Sequence, residues 1–298
     1  MAMIRRPLSE HLFEALVHMA ALAGVAALLG ILAMLVVESL DFFKEAPILE
    51  FLTGVRWAPL FDLPHYGILP LLAGTMITTA LAMLVAAPLG IAAAVWLSEF
   101  APPRLREVIK PVMEILAGVP TVIFGQFALL AVTPALQTTL LPDLPGFNLL
   151  SAGIVIGIMI VPLVASLSED ALSAVPRDTR AASLALGATS WETARRVVLP
   201  SAIGGVGAGL LLAFARAMGE TMIVAMAGGQ QPNLTLDPTQ PAATITTYIV
   251  GVAKGDVPHD GMAYRSIFAA GLALFVLILL TNITGQVLRR ATRAHRSV

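Results

Sequence analysis

The chain has 298 residues, of which 57% are hydrophobic and 12% carry a charge, whereas about 25% are charged in an ordinary soluble domain. The formal net charge is −1, which provides no basic surface for phosphate backbones, so we expect no nucleic-acid partner. The absence of cysteine excludes disulfides, thiolate catalysis and cysteine-based metal sites. The five histidines show no ligand spacing, so we expect no metal site. We also expect no catalytic residues in this chain.

Long apolar runs predict an all-α integral membrane protein, because a helix needs about 20 apolar residues to cross a bilayer and satisfies its own backbone there. Six such runs are present, and we interpret each as a transmembrane helix. Their approximate bounds are 15–37 (apolar core from residue 19), 68–97, 112–132, 149–167, 200–227 and 267–288.

The distribution of Lys and Arg predicts the orientation, because positive charges are retained on the cytoplasmic side. With six spans and both termini in the cytoplasm, thirteen basic residues lie inside and four lie outside. The remaining one, Arg216, lies within a span. The sequence therefore divides into a tail, first helix and external loop (1–64), a main transmembrane region (65–288) and a basic cytoplasmic tail (289–298).

Between the fourth and fifth spans, residues 169–199 form a cytoplasmic loop that is too polar for lipid. An alanine-rich helix is predicted over about 178–186, ending at Gly187, which suits a left-handed cap. Thr189 and Glu192 form a T-x-x-E capping box, which predicts a second helix through Arg196. An ordinary surface helix pair is the alternative interpretation.

The stretch from Arg180 to Gly187 (R-A-A-S-L-A-L-G), followed by Val198-Leu199-Pro200, resembles the E-A-A-x-x-x-G…L-P signature of permease subunits of bacterial ABC importers. We take Arg180 to stand where the signature has Glu. The resemblance implies a type I ABC importer permease fold, in which this loop is the coupling helix that docks on a separate ATPase. It implies docking contacts at five residues, namely Ala181, Ala182, Gly187, Ala188 and Glu192.

Three further segments are similar to those of phosphate permeases in this family: 99–103 (E-F-A-P-P), 114–125 (E-I-L-A-G-V-P-T-V-I-F-G) and 216–222 (R-A-M-G-E-T-M). The resemblance implies a bacterial inner-membrane, multi-pass subunit that imports inorganic phosphate. It implies four partners besides membrane lipid: a second permease subunit, an ATPase dimer, an external phosphate-binding protein and phosphate itself.

Arg216 and Glu220 are candidate residues of the substrate pathway. An arginine within a span costs about 2.5–3.5 kcal/mol on insertion scales, so it should face a cavity or a partner. Glu220 follows at i+4 on the same helical face, which predicts a buried ion pair. The pair either steadies the bundle or forms a station for an oxyanion, because a guanidinium suits phosphate geometry.

Thr221 and Thr121 are the other candidates for this pathway. Thr121 follows Pro120, and a proline inside a span frees a carbonyl beside which a hydroxyl can contact substrate. A simple helix kink is the alternative. Thr75, Thr78 and Thr79 are weaker candidates, because threonines in helices often bond their own backbone.

The chain contains no G-x-x-x-x-G-K-[ST] segment, so we expect it to be a transport subunit without cofactors, with ATP and Mg bound by a partner ATPase. The glycine run at 204–209 is interpreted as a face for close helix packing. An ion-coupled secondary transporter, or an ABC permease for sulfate, molybdate or phosphonate, remains an alternative function.

Overall fold

The computed structural model describes residues 8–61, 63–255, 257–258 and 261–294. The described residues form eleven helices and one two-stranded antiparallel hairpin, in which Trp57 pairs with Tyr66. In chain order the elements are α1 Leu8–Glu45, α2 Ile48–Thr53, β1 Trp57–Ala58, β2 His65–Tyr66, α3 Leu69–Glu99, α4 Pro103–Ala117, α5 Thr121–Thr139, α6 Leu149–Ser173, α7 Arg177–Ala185, α8 Ser190–Met218, the π-helix α9 Val224–Gly228, α10 Ile245–Lys254 and α11 Met262–Ala294.

Six of the described helices are long and apolar enough to cross a membrane, which confirms six candidate spans. The first and fourth run further than predicted, to Glu45 and Ser173, and two others differ because their helices are interrupted. The third begins at Thr121 rather than near residue 112, because Gly118 and Pro120 interrupt the helix and leave α4 as a separate amphipathic element. The fifth ends at Met218 instead of 227, since the chain leaves the helix at Gly219 before α9 starts.

The centre of the bundle is the contact between α3 and α6. A Cβ on Gly90 of α3 would lie 2.6 Å from the Val164 side chain, and one on Gly157 of α6 would lie 2.6 Å from Val85. Both distances are below normal contact, so only glycine permits this approach of the two helices. Buried side chains such as Ile156 and Ile160 fill the space around it. The pair α3–α6 is therefore the tightly packed unit of the bundle.

The glycine run in α8 also serves packing, as predicted. A Cβ on Gly205 would lie 2.5 Å from that of Ala171, and one on Gly209 would lie 2.9 Å from that of Leu167. Both neighbours belong to α6, so the run places α8 against the α3–α6 pair.

An aromatic cluster fixes the hairpin and α2 at the end of the bundle opposite α7. The Trp57 ring packs edge-on against Tyr248 with centroids 5.0 Å apart, and the Tyr248 hydroxyl bonds Ser266 at 2.6 Å. Burial raises the pKa of Tyr248 to about 12. Strand β1 is thereby tied to α10 and α11.

The loop between the fourth and fifth spans forms the two helices that the sequence predicts. Helix α7 is followed by Gly187, whose φ of +89° is in the left-handed region. Thr189 and Glu192 form the predicted capping box, with both reciprocal hydrogen bonds present. The second helix does not stop near Arg196, because it runs on through Pro200 as α8. A π turn at Ala194–Val198 precedes Pro200 and accommodates its missing N–H.

Candidate translocation and coupling sites

The α7 end of the bundle is built around Arg180. Its Nη2 donates to the Glu99 carboxylate at 2.8 Å, and its Nε lies 3.1 Å from the second carboxylate oxygen. The same guanidinium donates to the carbonyl oxygens of Leu172 and Val175, at 2.8 and 2.5 Å. One side chain of α7 therefore binds the last residue of α3 and two residues around the end of α6.

The register of the importer signature needs one correction. In E-A-A-x-x-x-G the Glu precedes the Gly by six residues, so alignment on Gly187 places Ala181 at the Glu position. Arg180 comes one residue earlier and is not its replacement. The structure separates the two positions, since Arg180 points into the bundle while Ala181 is exposed.

The predicted docking residues share one exposed surface. Ala181 and Ala182 are exposed on α7, Gly187 is exposed, and Ala188 and Glu192 are half-buried. Sequence reasoning missed the apolar side chains of this surface: Leu186 is 91% exposed, and Leu184 and Trp191 are about half exposed. Apolar residues flanking Gly187 in an otherwise polar loop were the available signal.

A second charged cluster joins α4 to α6. Glu169 is 1% exposed and accepts hydrogen bonds from Arg106 and, at 3.0 Å, from Lys110. Lys110 also lies 2.5 Å from Asp170. The hydrogen bond that Lys110 donates to Asp170, assisted by the one to Glu169, raises the pKa of the Lys110 ammonium. Glu169 was not among the predicted site residues, although an acidic pair at the polar end of a span indicated it.

The two interrupted helices meet within the bundle. A Cβ on Gly125 in α5 would lie 2.8 Å from Met226 Sδ and 3.2 Å from the Met222 carbonyl oxygen. Thr121 lies one helical turn before Gly125 and is half-buried. Thr221 directly precedes Met222. The contact therefore brings the segment of Thr121 close to that of Thr221, which the sequence alone did not pair.

The predicted ion pair between Arg216 and Glu220 is wrong. Glu220 is 7% exposed, and its carboxylate accepts the backbone N–H groups of Met222 and Ile223 at 3.1 and 3.4 Å. It satisfies the first N–H groups of the helical segment 222–228, whose last part is α9, because the chain leaves α8 at Met218 and the i+4 geometry is lost. Among the residues that the structure describes, the exposed Arg216 side chain makes no ion pair or side-chain hydrogen bond.

Threonines of α3 and α10 support this interrupted region. Thr246 donates its hydroxyl to the Glu220 carbonyl oxygen at 2.9 Å, and Thr75 accepts the Ile245 N–H at 3.2 Å. Thr75, Thr78 and Thr79 each donate to a carbonyl one turn earlier in α3. These three therefore bond their own helix, as the sequence predicted in making them weaker candidates for the substrate pathway. Thr246 lies 26 residues beyond Glu220, so no local pattern predicted it.

Six apolar helices, a bundle interrupted at two helix breaks and an exposed two-helix loop define a membrane transport subunit. Residues 86–294 match the family described as the binding-protein-dependent transport system inner membrane component. This chain belongs to that family and is a multi-pass inner-membrane permease subunit, which is not itself an enzyme. A transport system of this kind also comprises a substrate-binding protein and an ATPase.

Curated relatives agree with this assignment. The probable ABC transporter permease protein YqgH of Bacillus subtilis is 37% identical over 232 residues, covering 78% of this chain and 74% of the relative. The phosphate transport system permease protein PstC of Mesorhizobium japonicum is 36% identical over 251 residues, covering 77% and 75%. The probable PstC of Methanocaldococcus jannaschii is 32% identical, covering 86% and 88%.

Solved structures agree on the fold. A subunit of a bacterial alginate ABC transporter, in complex with its alginate-bound periplasmic protein, superposes with a TM-score of 0.65 at 16% identity, covering 97% of this chain and 98% of that one. A chain of the inward-facing MetNI methionine ABC transporter gives a TM-score of 0.54 at 20% identity, covering 76% and 94%. The fold is that of ABC importer permeases.

Proposed function

We propose that this chain is the PstC-type permease of an ATP-driven importer of inorganic phosphate. Its partners are a PstA-like permease subunit, a PstB-like ATPase dimer and a PstS-like phosphate-binding protein. The chain itself holds no cofactor, since ATP and Mg are bound by the ATPase. The relatives named PstC support the substrate class, with identities of 36% and 32%.

The observation that carries the proposal is the position of the Arg216 guanidinium. It lies on the apolar span Ser190–Met218, is exposed, and has no ionic partner among the described residues. An unneutralised arginine within a span is costly and should face an aqueous path or another subunit. Its planar fork of donors matches the oxygens of phosphate. Arg216 is therefore the proposed anion contact, with Thr221 and Thr121 as neighbouring hydroxyls.

Glu220 has a different role in this proposal. Its carboxylate is engaged by two backbone N–H groups, so it shapes the interrupted segment beside Arg216. The charge of Arg216, which has no ionic partner among the described residues, therefore remains for an incoming anion. The alternative, in which Arg216 and Glu220 only neutralise one another, requires an ion pair between these two side chains, and they do not form one.

Both termini are proposed to lie in the cytoplasm. The basic-residue count supports this orientation. Two ion pairs place the ends of α3 and α6 beside α4 and α7 at one end of the bundle. They join Glu99 to Arg180 and Glu169 to Lys110. That end carries the coupling loop and would face the ATPase. Segment 229–244 lies at the opposite end and would face the binding protein.

Transport would be driven through α7 and its exposed neighbours. The apolar side chains of Leu184, Leu186 and Trp191 supply a contact surface for a cleft on the ATPase. Closure of the ATPase dimer on ATP would move this surface and turn the cavity outward. Membership of a binding-protein-dependent family favours this mechanism over ion-coupled transport.

Uptake by the reconstituted complex tests the proposal. The four kinds of subunit are placed in proteoliposomes with ATP on the side of the ATPase, and accumulation of radioactive phosphate is measured. We expect vanadate-sensitive phosphate uptake that excess sulfate or molybdate does not inhibit. If the complex takes up sulfate, molybdate or a phosphonate in an ATP-dependent manner but does not take up phosphate, that anion is the substrate. Uptake that needs no ATP would contradict the ABC mechanism.

A further inference from the structure

Three elements of the fold converge on the Arg180 side chain. It belongs to α7, its carboxylate partner Glu99 ends α3, and its two carbonyl partners, Leu172 and Val175, lie at the end of α6. Ser98 donates a further hydrogen bond to Glu99 at 2.8 Å. Five donor-acceptor contacts of one guanidinium thus define a single position of α7 relative to two other helices.

The Arg180 contact is largely removed from water. The Arg180 side chain is 20% exposed and that of Glu99 is 10% exposed, whereas most ion pairs at a protein surface are fully hydrated and weak. Removal of one partner from a desolvated pair leaves the other charge uncompensated. Lysine cannot reproduce the fork geometry that binds a carboxylate and two carbonyls together.

Few other contacts hold α7 in place. Ser183 and Thr193 share a hydrogen bond of 2.9 Å, which links α7 to the start of α8. No residue of α7 is buried. The α3–α6 pair, in contrast, is closely packed through Gly90 and Gly157. A movement imposed on α7 can thus reach the rigid centre of the bundle through Arg180.

We infer that Arg180 is a positioning residue that makes α7 move as one body with the α3–α6 pair. Through it, displacement of the coupling loop would reach the helices around Thr121 and Glu220, which pack against α6. This inference rests on the proposed function, because the movement matters only if ATP hydrolysis drives transport through this chain. It assigns a role that the importer signature does not contain, because Arg180 precedes the signature.

The ratio of phosphate imported to ATP hydrolysed tests this role. We expect Arg180→Gln to lower that ratio about tenfold while ATP hydrolysis continues, because a desolvated pair is broken without loss of the docking surface. Arg177→Gln is the matched control: it removes the same charge from the same helix, and Arg177 is exposed. It should leave the ratio unchanged. An unchanged ratio in Arg180→Gln would overturn the inference.

A double-mutant cycle separates positioning from general destabilisation. Glu99→Gln should also lower the ratio, and the double variant Glu99→Gln with Arg180→Gln should be no worse than Arg180→Gln alone, since both remove the same contact. Arg180→Lys should restore only part of the ratio. Fully additive effects of the two substitutions would contradict a shared contact.

Hydrogen exchange of the assembled complex provides a readout that needs no substrate. Peptides covering 177–187 should exchange faster in Arg180→Gln than in the wild-type or Arg177→Gln complex, whereas peptides from the centre of α6 should not change. Equal exchange in all three complexes would overturn the inference. If the wild-type complex imports no phosphate, the proposed function fails, and hydrogen exchange still decides the role of Arg180.

Discussion

The Glu220 carboxylate turns away from Arg216 and binds the backbone of the next helix instead. It accepts the N–H groups of Met222 and Ile223, and Thr246 holds the Glu220 carbonyl oxygen at 2.9 Å. Four residues of sequence separation would bring the side chains together only if α8 continued, and it ends at Met218. Arg216 and Glu220 are therefore expected to have different roles, and substitutions of each residue can distinguish them.

Arg216→Gln should abolish most phosphate uptake without lowering thermal stability. The side chain is exposed and has no ionic partner in the described part of the chain, so its removal leaves no buried charge. Uptake is measured in proteoliposomes, and the unfolding midpoint is measured on the detergent-solubilised complex. Arg216→Lys should retain partial uptake because the charge remains without the fork. A large fall in the unfolding midpoint of Arg216→Gln would point to a structural role.

Glu220→Ala, unlike Arg216→Gln, should clearly lower thermal stability. Removal of a capping side chain costs about 0.5–2 kcal/mol, and this one is 7% exposed. Glu220→Gln keeps an acceptor oxygen and should lose less. The thermal unfolding midpoints of the two variants provide the comparison. Equal midpoints for wild type and Glu220→Ala would rule out the cap.

Gly125→Ala should destabilise the contact between α5 and α9 by about 1–3 kcal/mol, because a Cβ there overlaps its neighbours. That Cβ would lie 2.8 Å from Met226 Sδ and 3.1 Å from Met226 Cβ. Met226→Ala in the same chain should recover much of the loss. Gly207→Ala is the control, since a Cβ on Gly207 meets nothing within 4 Å. Thermal unfolding of the three variants and the wild type measures the effect.

Gly187→Ala should cost about 1 kcal/mol through backbone strain alone, because φ at this position is +89°. No atom lies within 4 Å of the added Cβ, so packing contributes nothing. Gly187→Asn should be milder, since asparagine tolerates this region. Gly146→Ala, which also meets nothing within 4 Å, should leave the unfolding midpoint unchanged. An equal loss of stability in Gly146→Ala would refute backbone strain as the cause.

The stability conferred by Lys110 should be lost at high pH. Its pKa is raised in the folded chain by the hydrogen bond to Asp170 and by Glu169, so the folded state binds its proton more tightly. This contribution is complete below the ordinary pKa of lysine and disappears as pH rises through the raised value. Unfolding midpoints measured from pH 9 upward should fall less steeply in Lys110→Met. Parallel pH profiles would contradict this linkage.

Much of this architecture could be predicted from local sequence. Apolar length determined six spans, since lipid leaves the backbone no alternative to helices. The bounds of the third span were wrong because hydropathy does not register the break at Gly118 and Pro120, where Pro120 begins α5 as its cap. The capping box at Thr189 and the left-handed Gly187 were predictable, because each depends on residues within one turn.

The contacts between distant segments came only from the tertiary structure. Arg180 and Glu99 are 81 residues apart, and Thr246 and Glu220 are 26 apart. The sequence by itself determined the membrane class, the spans and the caps, because hydrophobicity and local hydrogen bonding act within a few residues. Tertiary structure decided that Glu220 binds the start of the helical segment 222–228 and that Arg216 has no ionic partner among the described residues, since α8 ends at Met218 and Thr246 of α10 binds the Glu220 carbonyl oxygen.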